Sequence, residues 1–291
     1  MSEEGKPERW ITETLYDSVQ FSFKADQVIF EDHTEHQDLV LFQNRIFGKV
    51  LMLDGVTQVT SRDEFVYHEM MAHVPILAHG KATSVLIVGG GDCGLAEEVL
   101  KHKTVSNLVQ VEIDAAVVDF SKTHFCDFNQ GVMEDSRFEL VIDDGVKFVA
   151  DTARKFDVVL VDSTDPIGPG AVLFTPAFYA SIKSCLNPGG VLVTQNGVPF
   201  YQPDELSQSI THFSKLFGDA FCYIAAIPTY IGGHMALGWA TDNMSLRTAS
   251  VDTISNRFEC AGFETRYYTP QVHQAAFALP RFIQNVVDSS R

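Results

Sequence analysis

The sequence predicts an α/β protein in which a doubly wound, mostly parallel sheet follows a small antiparallel β unit. Before residue 65, short alternating or apolar runs are separated by turns, and from Thr83 onward strand and helix patterns alternate. Such alternation indicates a parallel sheet covered by helices on both faces. This change predicts an N-terminal β-strand domain over residues 1–78 and a larger α/β domain over residues 79–291.

Each predicted element has a local signal. Residues 47–59 indicate two strands around an Asp54-Gly55 turn, and apolar residues at helical spacing predict a helix over residues 65–77. Residues 156–161 are continuously apolar, as expected of a buried parallel strand. The predicted parallel strands are 84–88, 107–111, 137–142, 156–161 and 189–194, and residues 223–227 and 235–240 are predicted to pair as an antiparallel hairpin.

Composition narrows the class of protein. The 291 residues are 45% hydrophobic and 20% charged, which is typical of a globular domain. The formal charge of −17 argues against nucleic acid as a partner and favours cationic ligands. The N-terminus is polar and no apolar run is long enough to span a bilayer, so we expect a cytoplasmic protein without a membrane partner.

Neither the cysteines nor the histidines predict a metal site. The five cysteines are widely spaced and never form Cys-x-x-Cys, so neither a disulfide framework nor a zinc site is expected. His68 and His73 flank Glu69, but their separation is one residue too long for both imidazoles to share a helix face.

Acidic residues follow four successive predicted strands. The first strand runs into Gly-x-Gly-x-x-Gly over residues 89–94. Glu112 ends the second strand, at the position where an acid binds a ribose hydroxyl in nucleotide-binding α/β folds. A structural glycine turn is the alternative. Asp92 lies inside the turn, where an anion repels a pyrophosphate, so an S-adenosyl compound is favoured over NAD.

The third and fourth strands add three more acids. Asp144 is placed to accept a hydrogen bond from an adenine amino group, although Asp-Gly is also a common turn. Asp162 and Asp165 follow the fourth strand in a Pro- and Gly-rich loop. Crowded carboxylates need a cationic partner, so the five acids predict a multiply cationic ligand; a divalent metal is less favoured because the acids are spread over four strand ends.

With these motifs, the sequence resembles the polyamine aminopropyltransferases along nearly its whole length. The matching segments are His36-Gln-Asp38, Leu53-Asp-Gly-Val56, Arg62-Asp-Glu-Phe-Val-Tyr-His-Glu-Met70, His73-Val-Pro75, Gly89-Gly-Gly-Asp92, Val111-Glu-Ile-Asp114, Asp143-Asp-Gly145, Asp162-Ser-Thr-Asp-Pro-Ile-Gly-Pro169, Gln195-Asn-Gly197 and Ile227-Pro-Thr-Tyr230. The resemblance implies a methyltransferase-like Rossmann domain after the β domain, and transfer of the aminopropyl group of decarboxylated S-adenosylmethionine to a diamine, usually putrescine. It implies no cofactor beyond that co-substrate, and a homodimer or homotetramer.

The resemblance also implies roles for individual residues. Asp162 is expected to be the general base, and Gln58 and Gln195 are weaker assignments to the same cavity. The implied donor-binding residues are Gln37, Asp92, Glu112, Asp144, Gly145 and Pro169, and the implied acceptor-binding residues are Tyr67, His68, Asp162, Asp165 and Tyr230. Pro169 is expected in a flexible gate over the donor.

Three positions depart from the family pattern or bear on specificity. Cys93 adds a side chain to the glycine loop, Glu97 reverses a charge in the following helix, and Ile231 lies beside Tyr230. Acceptor choice is therefore less firmly predicted than the transfer itself, with cadaverine and agmatine as alternatives. The competing functions are an S-adenosylmethionine-dependent polyamine N-methyltransferase, a catalytically silent polyamine- or nucleoside-binding protein and an NAD oxidoreductase.

Overall fold

The computed structural model describes residues 8–33, 37–166 and 168–291 in two compact units. The first unit ends at Glu64 and also includes Pro228–Tyr230; the second comprises Phe65–Ile227 and Ile231–Arg291. The division therefore falls at Glu64 and not at the predicted residue 78. The physical reason is that helix α1 (Glu64–His79) is bonded to later parts of the second unit: the Tyr223 hydroxyl, for example, donates to the Met70 carbonyl at 3.0 Å.

The first unit consists of antiparallel strands, as predicted. Its described strands are β1 (Arg9–Tyr16), β2 (Val19–Ala25), β3 (Gln27–His33), β4 (Asp38–Asn44), β5 (Gly48–Leu53) and β6 (Val56–Thr60), arranged as a β1-β2 pair and a β3-β4-β5-β6 sheet. The predicted turn between β5 and β6 is confirmed, with φ of 49° at Asp54 and 74° at Gly55. Phe23, Phe42 and Met52 form part of a buried core.

A buried carboxylate holds the segment Pro228–Tyr230 within this unit. Asp63 accepts from the Thr60 hydroxyl at 2.6 Å and from the Thr229 backbone N–H at 2.7 Å, and it is 5% exposed. Next to Thr229, the Tyr230 hydroxyl donates to the Gln58 carbonyl. Asp63 thus fixes the backbone that carries Tyr230.

The second unit is built on a sheet with the order β12-β13-β11-β10-β7-β8-β9. Strands β7 to β11 pair in parallel, whereas β13 pairs antiparallel with both β11 and β12. This confirms the predicted doubly wound sheet and its hairpin. The strands are β7 (Ser84–Gly89), β8 (Asn107–Glu112), β9 (Phe138–Ile142), β10 (Phe156–Asp162), β11 (Leu186–Gln195), β12 (Asp219–Ala225) and β13 (Met235–Thr241).

Helices connect these strands and continue after them. In the described residues they are α1, α2 (Gly94–Leu100), α3 (Ala115–His124), α4 (Gly145–Asp151), α5 (Pro176–Cys185), α6 (Pro203–Leu216), α7 (Val251–Ala261), α8 (Pro270–Ala276) and α9 (Arg281–Ser289), with a 3-10 helix over Gly168–Phe174. Helices α6 to α9 were not predicted. None of the helices in this part of the chain has the length and apolarity that a membrane span requires.

Glu69 on α1 binds a distant backbone segment. Its buried carboxylate accepts from the backbone N–H groups of Arg266 at 2.6 Å, Tyr267 at 2.8 Å and Tyr268 at 2.6 Å. Three backbone donors are satisfied by one anion, so this carboxylate fastens the C-terminal region to α1.

We predict that Glu69→Ala destabilises the protein by at least about 3 kcal/mol, because several charge-assisted hydrogen bonds are lost together and donors are left without an acceptor. The free energy of unfolding in urea measures the change. Glu259→Ala, at an exposed position of α7, is the matched control. Equal losses in the two variants would contradict the role of Glu69.

Candidate active site

The candidate site lies in the second unit, where β7 and β10 run side by side and the connections diverge to opposite halves of the sheet. Gly89 pairs with Asp162 in the parallel register, and the Gly90 N–H donates to the Asp162 carbonyl at 2.9 Å. A Cβ at Gly89, whose φ is 89°, would lie 2.0 Å from that carbonyl oxygen. Only glycine permits this approach, which brings the two loops together at the position where open α/β sheets bind ligands.

Asp162 is the acid at the end of β10. Its Oδ1 accepts a hydrogen bond from the Tyr67 hydroxyl at 2.7 Å. Desolvation, followed by the charge of Asp92, raises the pKa of Asp162 to about 6, while His68 and the Tyr67 hydrogen bond act in the opposite direction. The carboxylate is therefore oriented by α1 and is a stronger base than an ordinary aspartate.

Asp92 is oriented by the turn that contains it. Its Oδ1 accepts from the Gly94 N–H at 2.8 Å, and its Oδ2 lies 3.6 Å from His68 Nε2. The Asn129 amide donates to the Asp92 carbonyl at 2.9 Å. The Gly94 N–H therefore orients the Asp92 carboxylate so that its second oxygen faces His68.

Glu112 ends β8 and is held by the next loop. Its Oε1 accepts from the Asp114 N–H at 2.9 Å. Burial raises the pKa of Glu112 to about 7, and the charges of Asp114 and Asp162 contribute in the same direction. A Cβ at Gly91 would lie 3.1 Å from Glu112 Oε2, so the glycine turn passes directly beside this carboxylate.

Asp144 and Gly145 begin α4. Asp144 is exposed, and its Oδ1 caps the helix by accepting from the Val146 N–H at 2.7 Å. A Cβ at Gly145 would lie 2.6 Å from a methyl group of Val88, so this glycine allows α4 to approach β7. Asp144 therefore has a structural role in addition to the adenine contact predicted for it, which stays a prediction.

Asp165 lies after β10 and contacts the end of β11. Gln195 Nε2 donates to Asp165 Oδ1 at 2.9 Å. Desolvation raises the pKa of Asp165, and hydrogen bonds from glutamine amides lower it. Gln195, one of the two weaker assignments, thus contacts Asp165, the acid that is predicted to bind the acceptor.

The remaining predicted residues lie elsewhere or are not fully described. Gln37, Gln58 and Tyr230 belong to the first unit, so their roles stay predictions from the sequence. Pro169 lies in the 3-10 helix, but its side chain and the whole of His36 and Ile167 are outside the described residues. In the described ranges, no group of three or more His, Cys, Asp or Glu side chains is arranged to hold a metal ion.

The departures at Cys93 and Glu97 are accommodated locally. Cys93 adopts φ of 63°, is 1% exposed, and has its pKa raised to about 12 by burial. Glu97 lies 3.9 Å from Lys101, so the reversed charge faces a cation on its own helix. Ile231 is 41% exposed.

Two residues that support the site were missed. Gln110 donates from Nε2 to the Gly89 carbonyl at 3.0 Å and also to the Gly90 carbonyl, which fixes the glycine turn from β8. The signal was a glutamine inside the apolar strand β8, since a fully buried polar side chain needs partners. Asn129 had no comparable signal, because it lies in an irregular segment.

We predict that Tyr67→Phe raises the pKa of Asp162 further, by roughly one unit, because the lost hydrogen bond stabilises the ionised carboxylate. The pKa can be followed in a carboxyl ¹³C NMR titration of the free protein. Tyr267→Phe serves as the control. A titration of Asp162 that is unchanged in Tyr67→Phe would contradict this assignment.

Comparison with known proteins places this geometry in a family. A family model described as the spermine/spermidine synthase domain matches residues 64–250, and one described as the spermidine synthase tetramerisation domain matches residues 9–61. The polyamine aminopropyltransferase of Ruegeria sp. (strain TM1040) is 53% identical over 96% of this chain and 98% of its own length. That of Salmonella arizonae is 53% identical over 95% of this chain and 97% of its own length.

Solved structures agree with the sequence relatives. A crystal structure of spermidine synthase in complex with the transition-state analogue AdoDATO has a TM-score of 0.91 at 32% identity, covering 99% of this chain and 98% of that one. The spermidine synthase from Thermotoga maritima has a TM-score of 0.88 at 31% identity, covering 98% and 97%. The glycine turn, the acids at the strand ends and these likenesses lead to one conclusion: the chain belongs to the spermine/spermidine synthase family of aminopropyltransferases.

Proposed function

We propose that the protein transfers the aminopropyl group of decarboxylated S-adenosylmethionine to putrescine, giving spermidine and methylthioadenosine. The observation that carries the proposal is the desolvated carboxylate of Asp162, held by Tyr67 and subject to the charge of Asp92. Such a group is stabilised by cations, and both proposed substrates are cations. The structure with AdoDATO belongs to a relative that has the same fold as this chain.

Asp162 is the general base in this proposal. The nucleophile is an amine, so an ammonium must lose a proton before or during attack on the carbon next to the sulfonium. The raised pKa of Asp162, about 6, makes it a better proton acceptor than an ordinary aspartate but a weaker base than an amine. Orientation of the amine by the fixed carboxylate and alignment of both substrates supply the remainder of the rate acceleration.

In the proposal, different residues bind the donor and the acceptor. The donor is bound by Gln37, Asp92, Glu112, Asp144, Gly145 and Pro169. The acceptor is bound by Tyr67, His68, Asp162, Asp165 and Tyr230. Asp92 binds the donor's amine through Oδ2, the oxygen that does not accept from the Gly94 N–H. A donor that retains its carboxylate, as ordinary S-adenosylmethionine does, is repelled there.

Assembly, location and cofactor use are part of the same proposal. A homodimer or homotetramer is supported by the match of residues 9–61 to a domain described as a tetramerisation domain. A cytoplasmic location is supported by cysteines that are free and in part exposed, as in reducing compartments. The donor is a co-substrate, and the reaction uses no further cofactor.

A product assay tests the reaction and the donor preference. The protein is incubated with decarboxylated or ordinary S-adenosylmethionine and with putrescine, cadaverine, agmatine or spermidine, and product masses are read. We expect aminopropylated putrescine and methylthioadenosine from the decarboxylated donor. A methylated amine, a different preferred diamine or no product would overturn the corresponding part of the proposal.

We predict that Asp162→Asn lowers turnover by about 10² to 10⁴-fold, because the general base is lost, while donor binding is retained. The same variant should raise the melting temperature of the ligand-free protein at pH 7.5. The acid has a folded-state pKa above its unfolded value, so its contribution to stability is lost as pH rises through about 6. Above that pH the desolvated, ionised carboxylate destabilises the folded protein, and the neutral side chain of asparagine removes this destabilisation.

Single-turnover kinetics, donor titration and thermal unfolding measure these effects. Asp151→Asn is the matched control, since Asp151 is an exposed acid at the end of α4. Wild-type turnover in Asp162→Asn would contradict the role of Asp162 as the general base. A melting temperature that falls in this variant would show that the carboxylate is not destabilising in the free protein.

A further inference from the structure

The segment Pro228–Tyr230 belongs to the first unit, although the chain on either side of it, at Ile227 and Ile231, belongs to the second. Its three residues lie in a turn, outside any strand or helix. Such a segment lacks the regular backbone hydrogen bonds of secondary structure, so other contacts have to fix its conformation. Thr229 provides them, since it is the buried residue of the three and is 5% exposed.

Both donors of Thr229 are directed at the carboxylate of Asp63. The backbone N–H donates to Oδ2 at 2.7 Å, and the hydroxyl lies 2.6 Å from Oδ2 and 2.7 Å from Oδ1. The Thr60 hydroxyl, at the end of β6, donates to Oδ1 of the same carboxylate at 2.6 Å. Hydrogen bonds to a carboxylate are stronger than those between neutral groups, so the backbone and the side chain of Thr229 are fixed together.

Tyr230 is bonded to the same strand. Its hydroxyl donates to the carbonyl of Gln58, two residues before Thr60 in β6. A phenol has one proton, and here that proton is directed to a backbone carbonyl. A ligand that meets the phenol oxygen must therefore donate to it. An ammonium group has three donors and no acceptor, so it matches this oxygen.

We propose that Asp63, acting through Thr229, is a positioning residue for the acceptor. It holds Tyr230 with the hydroxyl proton on the Gln58 carbonyl, so that the phenol oxygen accepts a hydrogen bond from an ammonium group of the diamine. This role rests on the proposed function, in which Tyr230 binds the acceptor.

Loss of the bonds to Asp63 affects the acceptor and spares the donor. Without them the turn is no longer fixed, and the phenol leaves the Gln58 carbonyl for part of the time. The donor-binding acids Asp92 and Glu112 are held by backbone N–H groups of their own loops. The contacts of Thr229 with Asp63 therefore bear on acceptor affinity alone.

Three single variants isolate the contact. Thr229→Val removes the hydroxyl and keeps the branched shape and the backbone N–H, whereas Thr229→Ser keeps the hydroxyl. Thr60→Val is the matched control, because it also removes a buried hydroxyl from the Asp63 carboxylate but leaves both donors of Thr229 in place. Steady-state kinetics with putrescine and decarboxylated S-adenosylmethionine are measured for each, together with thermal unfolding.

We expect the acceptor KM to rise about tenfold in Thr229→Val, because a hydrogen bond to a charged group is lost. The donor KM and kcat should stay within about twofold, and Thr229→Ser should restore the acceptor KM. Thr60→Val should lower the melting temperature as Thr229→Val does but keep the acceptor KM of the wild type. A change in acceptor KM that follows thermal stability in all variants would overturn the proposal.

A double-mutant cycle shows whether Thr229 acts through the phenol. If it does, Thr229→Val combined with Tyr230→Phe raises the acceptor KM no further than Tyr230→Phe alone. Additive effects would show that Thr229 acts independently of the Tyr230 hydroxyl and would contradict the proposal.

Asp63→Asn is the second route to the same answer should Thr229→Val not fold. It keeps the size of the side chain, removes its charge, and should also raise the acceptor KM. Because Asp63 directly precedes α1, which carries Tyr67, the titration of Asp162 is followed by ¹³C NMR in this variant and should match wild type. A shifted titration would show that the effect passes through α1 and would overturn the role of Tyr230.

The outcomes separate the two proposals. An unchanged acceptor KM in a folded variant, or failure of both Thr229→Val and Asp63→Asn to fold, would show that the contact is only structural, while the proposed function stands. Absence of aminopropylated product from the wild-type protein would overturn the proposed function itself, and with it the role of Asp63.

Discussion

The contact between the glycine turn and the end of β10 is the constraint on which the site depends. Because the Gly90 N–H binds the Asp162 carbonyl and no Cβ fits at Gly89, the loops after β7 and β10 are held against one another. Asp92 leaves the first loop and Asp162 leaves the second. Their proximity is therefore a consequence of backbone packing, and it is maintained in spite of the repulsion between the two carboxylates.

The electrostatic cost of that packing is visible in the acids themselves. Desolvation is the largest cause of the raised pKa values of Asp162, Glu112 and Asp165, and neighbouring acids add to it for the first two. A site of this kind is less stable when its acids are ionised and unoccupied than when cations fill it. The cationic substrates proposed above would relieve this unfavourable interaction, so their binding and the stability of the protein would be linked through the same groups.

The sequence predicts the part of this arrangement that follows from strand direction. Parallel strands deliver their carboxyl ends to one edge, so acids placed after β7, β8 and β10 had to meet there. The boundary between the two units lies before Phe65 and not after residue 78. One reason is that Glu69 in α1 binds backbone near residue 267 of the second unit. Contacts over such separations leave no periodic signal, and neither do those of Asn129. Helices α7 to α9 follow β13 without a strand between them, so the alternation of strands and helices did not indicate them.

The acids of the site are held in two ways, and the difference bears on function. Asp92, Glu112 and Asp144 each accept a hydrogen bond from a backbone N–H nearby in sequence. Their positions are therefore set by loop conformation, which would suit the single donor of the proposed function. Asp165 is held by the side-chain amide of Gln195, which is itself oriented by the Gly197 N–H. In the proposed function, a substitution at Gln195 would therefore change the acceptor end of the site and leave in place the loops that hold the donor-binding acids.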